Sequence, residues 1–152
     1  GLQLWIDETK LRERIQNIPF VEHRNQILRN EQTWITVIVE SYNGNKKGFL
    51  SLLKYLESVP RSWKIIYVTP GIVELGDKVE EAHRQIAQTM IHLDIIVLID
   101  SPGTRYMKEV LFDHTDLHMV DDTEEAHKLA ISLAWTGDCI VFQNDWTDNY
   151  FS

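Results

Sequence analysis

The chain has 152 residues, of which 43% are hydrophobic and 25% are charged, and this composition is typical of one ordinary globular domain. Fifteen Lys and Arg residues against 23 Asp and Glu residues give a net charge of −8, which argues against binding to a nucleic-acid backbone. A nucleotide is still compatible with this charge, because backbone amides and one or two cations can hold a phosphate. No apolar run approaches the roughly 20 residues of a membrane span, and charged residues interrupt positions 7–13, so we expect a cytoplasmic protein.

The single cysteine, Cys139, excludes an intramolecular disulfide and a cysteine-clustered zinc site. It lies in the apolar run 139–142, which predicts a buried and unreactive thiol. A reducing compartment fits this pattern.

The first 22 residues differ from the rest of the chain. Residues 7–18 predict a short amphipathic helix, with Leu11, Ile15 and Ile18 on one face and Pro19 after its end. No strand is predicted before this helix. We therefore expect an appendage, or the tail of another domain.

From residue 34 onwards, predicted strands and helices alternate. The strands are continuous apolar runs, which are typical of a parallel sheet covered on both faces, and helical spacing of apolar residues follows each of the first four. Asp77 is placed to cap the second of these helices, and Asp122 with Glu125 resembles a capping box before the fourth, which Gly137 follows. The strands are predicted at 34–39, 64–68, 95–99, 118–120 and 139–143, and the helices at 47–57, 77–92, 104–112 and 123–135.

These repeated βα units predict an α/β fold, namely a Rossmann-like, doubly wound, mostly parallel sheet of five or six strands with helices on both faces. Ligands of such sheets bind beyond the carboxyl ends of the strands. The polar and glycine residues of this chain are concentrated at those ends, which fall at 40–45, 69–76, 100–103, 121–123 and 144–148.

Three segments next to the strands could carry chemistry. Residues 40–45, Glu-Ser-Tyr-Asn-Gly-Asn, place a carboxylate, a phenol and two carboxamides where a ligand would meet the sheet, although a polar strand-to-helix loop explains them as well. Residues 69–76, Thr-Pro-Gly-Ile-Val-Glu-Leu-Gly, form either a structured binding loop or a plain turn followed by a capping glycine. Gly137-Asp138 before the last strand, and the polar residues 144–149 after it, belong either to a site or to the rim of the sheet.

Taken in order, these segments resemble the C-terminal domain of the Mur ligases. The resemblance spans residues 19–152 and rests on His23-Arg24, the segments 40–45 and 69–76, His83 and Gly137-Asp138. Within that family the chain is most similar to the enzymes that add D-alanyl-D-alanine to a UDP-N-acetylmuramoyl tripeptide. Three positions depart from the family pattern: Glu40 replaces the usual Asp, Lys46 replaces the usual Pro, and Gln143 stands where many relatives have Lys or Glu.

The resemblance implies a domain of an ATP-dependent amide ligase of peptidoglycan precursor synthesis in the bacterial cytoplasm. Residues 1–22 would then be the remnant of a preceding central ATPase domain and its hinge helix, and residues 23–152 the C-terminal domain. Its partners would be its own N-terminal and central domains, with UDP-MurNAc-peptide and D-Ala-D-Ala as substrates. ATP and Mg²⁺ would be bound mostly by the central domain. No phosphate-binding Gly-x-x-x-x-Gly-Lys-Ser/Thr loop occurs in this chain, so no catalytic residue is assigned and the chain alone is expected to be inactive.

The resemblance also implies roles for individual residues. Arg24 would reach the ATP phosphates from the hinge, Glu40 would accept hydrogen bonds from the ribose hydroxyls, and the loop from Gly71 to Gly76 would face the dipeptide, with Glu74 as a support. The remaining implied contacts are Tyr42, Asn43 and Asn45 at the adenine and ribose, and Asn144 at the substrate.

Other patterns favour ordinary explanations. His114 and His118, four residues apart among aspartates, predict a solvated loop rather than a metal site, and His83 and His127 predict surface positions on helices. A flavodoxin-like or receiver-like binding module, a stand-alone Mur-like domain that binds a partner, and a Mur-like ligase with a different amino-acid substrate are the alternatives. A receiver needs paired acids after its first strand, and here Glu40 stands alone.

Overall fold

The computed structural model describes residues 26–29, 32–40, 46–72 and 76–143, and the structural statements below concern these residues. The helix predicted at residues 7–18 lies outside them, as do the polar residues 144–149.

The described residues build one six-stranded sheet in the order β1-β2-β6-β3-β4-β5. Strands β2 to β6 are parallel to their neighbours, and β1 pairs antiparallel with β2 at the edge of the sheet. The predicted fold class is confirmed, and the five predicted strands lie within two residues of observed ones. The strands are β1 Gln26–Arg29, β2 Thr36–Glu40, β3 Ile65–Thr69, β4 Ile95–Ile99, β5 Leu117–Val120 and β6 Cys139–Gln143.

Helices cover both faces of this sheet. Helices α1 to α3 pack on one face, where Phe49, Ile86 and Met107 contact the side of the sheet that carries Tyr67. Helix α4 packs on the opposite face through its alanines, among them Ala126. The helices are α1 Lys46–Ser58, α2 Val79–Thr89, α3 Pro102–Val110 and α4 Thr123–Leu133.

The helix starts differ from the sequence expectation in two places. Asp122 caps α4 as predicted, since its side chain accepts the Glu125 amide, but the Glu125 carboxylate accepts the amide of Asp121 instead of that of Asp122. The cap predicted at Asp77 is wrong, because Asp77 lies inside a 3-10 turn, Gly76–Lys78, and no side chain caps α2. An acidic residue near the predicted start of a helix therefore does not by itself identify the N-cap residue.

Two aspartates form hydrogen bonds that join neighbouring segments at the amino edge of the sheet. Asp138 is 5% exposed, and its two carboxylate oxygens accept the amides of Lys64 at 2.9 Å and Trp135 at 2.8 Å. Asp94 accepts the Ile65 amide at 2.8 Å. The amino ends of β3 and β6 are thus joined by charged hydrogen bonds, which are stronger than neutral ones.

Cys139 begins β6 and is buried, as predicted. Burial raises the pKa of its thiol to about 12, helped by the charge of Asp138. The thiolate is therefore scarce at neutral pH, which makes the thiol a poor nucleophile. Among the described residues, no helix has the length and apolar character needed to span a bilayer.

Candidate functional site

The carboxyl ends of β2, β6 and β3 form the centre of the candidate site. Glu40 ends β2 and lies opposite Gln143, which ends β6. One step back, Val68 of β3 lies opposite Phe142, so Thr69 ends the strand on the other side of β6. The half-buried Glu40 and the loop that follows β3 therefore lie at the same edge of the sheet, on opposite sides of β6.

Beneath this edge lie two buried polar side chains that the sequence did not single out as site residues. Tyr67 and Gln143 are both fully buried, and neither the Tyr67 hydroxyl nor either atom of the Gln143 amide has a hydrogen-bond partner in the described part of the chain. Burial raises the pKa of Tyr67, and so does the negative charge of Glu40. Tyr67 occurs within an apolar strand run, where nothing but its own polarity distinguishes it, whereas Gln143 differs from the Lys or Glu of many relatives.

Of the nine residues expected to contact ligands, the structure describes three: Glu40, Gly71 and Gly76. It places all three at the carboxyl edge of the sheet. Arg24, Tyr42, Asn43, Asn45, Glu74 and Asn144 lie outside the described residues.

The loop after β3 starts in a fixed conformation. Gly71 has φ +81°, a backbone conformation that side chains disfavour, and its amide donates to the Thr69 hydroxyl at 3.0 Å. The hydroxyl of Ser101, which caps α3, donates to the Pro70 carbonyl oxygen at 2.7 Å. Gly76 begins the 3-10 turn with φ +58°, so it does not end a helix. The loop is thus tied to a neighbouring helix rather than being a plain turn.

His83 of α2 holds the same loop from below. Its Nε2 accepts the Ile72 amide at 2.9 Å, and its Nδ1 donates to the Val79 carbonyl oxygen at 2.7 Å. A Cβ atom on Gly103 would lie 2.2 Å from Nε2, and one on Gly71 would lie 2.7 Å from it, so both glycines make room for the ring. The surface position predicted for His83 is wrong: the side chain is fully buried.

His127 is buried as well, contrary to the prediction, with its ring centroid 4.4 Å from that of Phe142. His114 is half-buried at the amino edge, where its Nε2 donates to the Leu93 carbonyl oxygen at 2.7 Å and its Nδ1 accepts the Asp116 amide at 3.0 Å. His114 thus lies in a loop whose neighbouring residues Asp113 and Thr115 are exposed, and its two ring hydrogen bonds make it a structural residue. In the regions that the structure describes, no group of three His, Cys, Asp or Glu residues is placed to hold a metal ion.

His83 should make the stability of the domain depend on pH. Burial lowers the pKa of His83, although the hydrogen bond to Val79 opposes this shift. Below about pH 6.5 the unfolded chain protonates this histidine while the folded domain keeps it neutral, so the free energy of unfolding falls as the pH falls. We expect His83→Leu to remove this part of the pH dependence in urea unfolding between about pH 7.5 and about pH 5.5. If the free energy of unfolding of His83→Leu changed between the two pH values as much as that of the wild type, this prediction would be contradicted.

Comparison with known proteins assigns the chain to a family. The sequence model of the family described as Mur ligase, glutamate ligase domain, matches residues 23–143. A search of curated protein sequences gives no significant match.

Solved structures with the same fold include Mur ligases at low sequence identity. MurF ligase from Thermotoga maritima in complex with ADP superposes with a TM-score of 0.68 at 17% identity, covering 89% of this chain and 30% of that one. MurF from Acinetobacter baumannii gives 0.66 at 19% identity, with 91% and 31% covered. UDP-N-acetylmuramate-alanine ligase MurC from Thermotoga maritima gives 0.63 at 17% identity, with 86% and 28% covered. The chain thus spans about a third of the length of these proteins.

Proposed function

We propose that this chain, which belongs to the family of Mur ligase glutamate ligase domains, acts as the nucleotide-closing and amine-presenting domain of an ATP-dependent amide ligase. In the proposed reaction, ATP phosphorylates a substrate carboxylate, the amine substrate attacks the acyl phosphate, and inorganic phosphate leaves. The ligase would act in peptidoglycan precursor synthesis, adding D-Ala-D-Ala to a UDP-MurNAc-peptide. ATP and Mg²⁺ would be held mainly by the central domain of the complete protein.

The observation that carries this proposal is the juxtaposition of Glu40 and the loop after β3 at one edge of the sheet. A half-buried carboxylate suits ribose hydroxyls, which donate hydrogen bonds. The neighbouring loop, held by Ser101 and His83, suits a second substrate that must be presented in one orientation. Positioning two reactants in this way can contribute on the order of 7–11 kcal/mol to a reaction.

The proposed ligand contacts divide between these two parts. Arg24, Tyr42, Asn43 and Asn45 would bind the nucleotide together with Glu40, and Gly71, Glu74, Gly76 and Asn144 would contact the amine substrate. The domain boundary near residue 22 belongs to the same proposal.

The isolated chain is expected to show no ATP turnover, because the phosphate-binding loop is absent from its sequence. In the complete ligase, Glu40→Gln should raise the KM for ATP by about tenfold, the effect of losing one charged hydrogen bond. Glu57→Gln, at an exposed position on α1, is the matched control and should leave this KM unchanged. Phosphate release measures both quantities. ATP hydrolysis by the repurified isolated chain that Glu40→Ala abolishes would overturn the proposal.

A second candidate is a Mur-type ligase with a different amine substrate. The MurC structure supports it, because its TM-score of 0.63 is close to the 0.68 of the MurF complex at the same 17% identity. Phosphate release by the complete ligase with D-Ala-D-Ala, L-alanine and other amino acids distinguishes the two. Release with D-Ala-D-Ala alone supports the first candidate.

A further inference from the structure

Three side chains hold the loop that follows β3 by hydrogen bonds, and one of them is a buried histidine. Thr69 holds the Gly71 amide, Ser101 holds the Pro70 carbonyl oxygen, and His83 holds the Ile72 amide. The bonds from Thr69 and Ser101 act at the start of the loop. His83 acts at Ile72, immediately before residues 73–75.

The hydrogen bonds of His83 allow one protonation state. Nδ1 faces the Val79 carbonyl oxygen, which can only accept, so Nδ1 carries the proton. Nε2 faces the Ile72 amide, which can only donate, so Nε2 must be unprotonated. The ring is therefore a neutral bridge between a helix carbonyl and the loop.

The surroundings of the ring leave it no freedom to move. Gly71 and Gly103 approach its Nε2 edge so closely that a Cβ atom on either would overlap it, and the Thr104 methyl group lies against the same loop glycine. Glycines from two separate segments thus enclose an imidazole whose two nitrogens are both bonded. Such an arrangement fixes the position of Ile72 relative to α2 and α3.

We infer that His83 is the positioning residue that sets the geometry of the loop after β3 at Pro70, Gly71 and Ile72, and through it the binding of the amine substrate. The part concerning the substrate rests on the proposed function. The part concerning the loop rests on the contacts of His83 alone. His83 touches no substrate and takes no part in the chemistry.

The test compares His83→Leu with His114→Leu. His114 also bridges a backbone carbonyl and a backbone amide, but at the opposite edge of the sheet, so it controls for the loss of a bonded histidine. His83→Gln retains an acceptor that can reach the position of Nε2 and is the conservative variant.

Hydrogen exchange of the 152-residue chain gives a readout that does not depend on activity. In His83→Leu the Ile72 amide should exchange about tenfold faster relative to the Val97 amide of β4, because one buried hydrogen bond is lost. His83→Gln should stay within about threefold of the wild type, and His114→Leu should accelerate Asp116 instead of Ile72. Unchanged exchange at Ile72 in His83→Leu, or equal acceleration there in His114→Leu, would overturn the inference.

The second readout is the KM of the complete ligase for each substrate. His83→Leu should raise the KM for the amine about tenfold and leave the KM for ATP within about twofold, whereas His114→Leu should change neither. If His83→Leu leaves the amine KM of an active ligase unchanged, the positioning role is overturned and the proposed function stands. A complete protein that releases no phosphate with any amine overturns the proposed function, while hydrogen exchange still decides whether His83 sets the loop.

Discussion

Gly103→Ala is expected to destabilise the domain by about 2–4 kcal/mol, although alanine is the better helix former. Gly103 lies in the first turn of α3, and a Cβ atom there would lie 2.2 Å from Nε2 of His83. The ring cannot retreat without breaking its bonds to Ile72 and Val79, so overpacking and a lost hydrogen bond add together. Urea unfolding at neutral pH measures the loss.

Two controls separate this clash from a general effect of glycine. Gly48→Ala, at an exposed position of α1, should leave the domain as stable or up to about 1 kcal/mol more stable. Combining Gly103→Ala with His83→Ala should cost clearly less than the sum of the two single changes, because the smaller side chain at position 83 removes the clash. Strict additivity would show that the two positions do not contact each other.

Asp138→Ala is expected to cost about 2–5 kcal/mol of unfolding free energy, since it removes two hydrogen bonds to a buried carboxylate. Its oxygens accept the Lys64 and Trp135 amides, which join the start of β3 to the turn before β6. Both amides would lose their partner in the alanine variant. Asp138→Asn keeps one acceptor oxygen and should lose less.

Asp100→Ala is the matched control for Asp138. Asp100 is paired with Arg105 on the exposed carboxyl edge, and this pairing lowers the pKa of Asp100. Water screens an exposed ion pair, so the expected loss is small. Equal losses for Asp100→Ala and Asp138→Ala in urea unfolding would contradict the structural role of Asp138.

The strands β3, β4 and β6 were predictable because they are buried on both faces and therefore form continuous apolar runs. Strand β1, Gln26–Arg29, was not predicted, since an antiparallel edge strand of four residues leaves no such run and its Ile27 is 64% exposed. The position of Glu40 at the carboxyl edge was predictable because Glu40 is a polar residue directly after an apolar run.

The surroundings of His83 could not be predicted from local sequence. Its burial depends on two glycines, Gly71 in the loop after β3 and Gly103 in the first turn of α3, which lie 32 positions apart and meet only after the sheet has formed. The surface prediction followed acidic neighbours such as Glu80 and Glu81, whereas Ile86 and Ala87, three and four positions further on, share the buried face of α2 with His83. Both glycines are visible in the sequence, but an ordinary turn explains a glycine at such a position equally well.

The strand order has a consequence for the synthesis of this chain on a ribosome. β6, Cys139–Gln143, lies in the middle of the sheet between β2 and β3, yet of the six described strands it is the last to be made. Until it emerges, β2 and β3 have no strand between them, and their facing backbone groups are unpaired. Until then the half-sheet of β1 and β2 and the half-sheet of β3, β4 and β5 each carry a central edge that is exposed to aggregation.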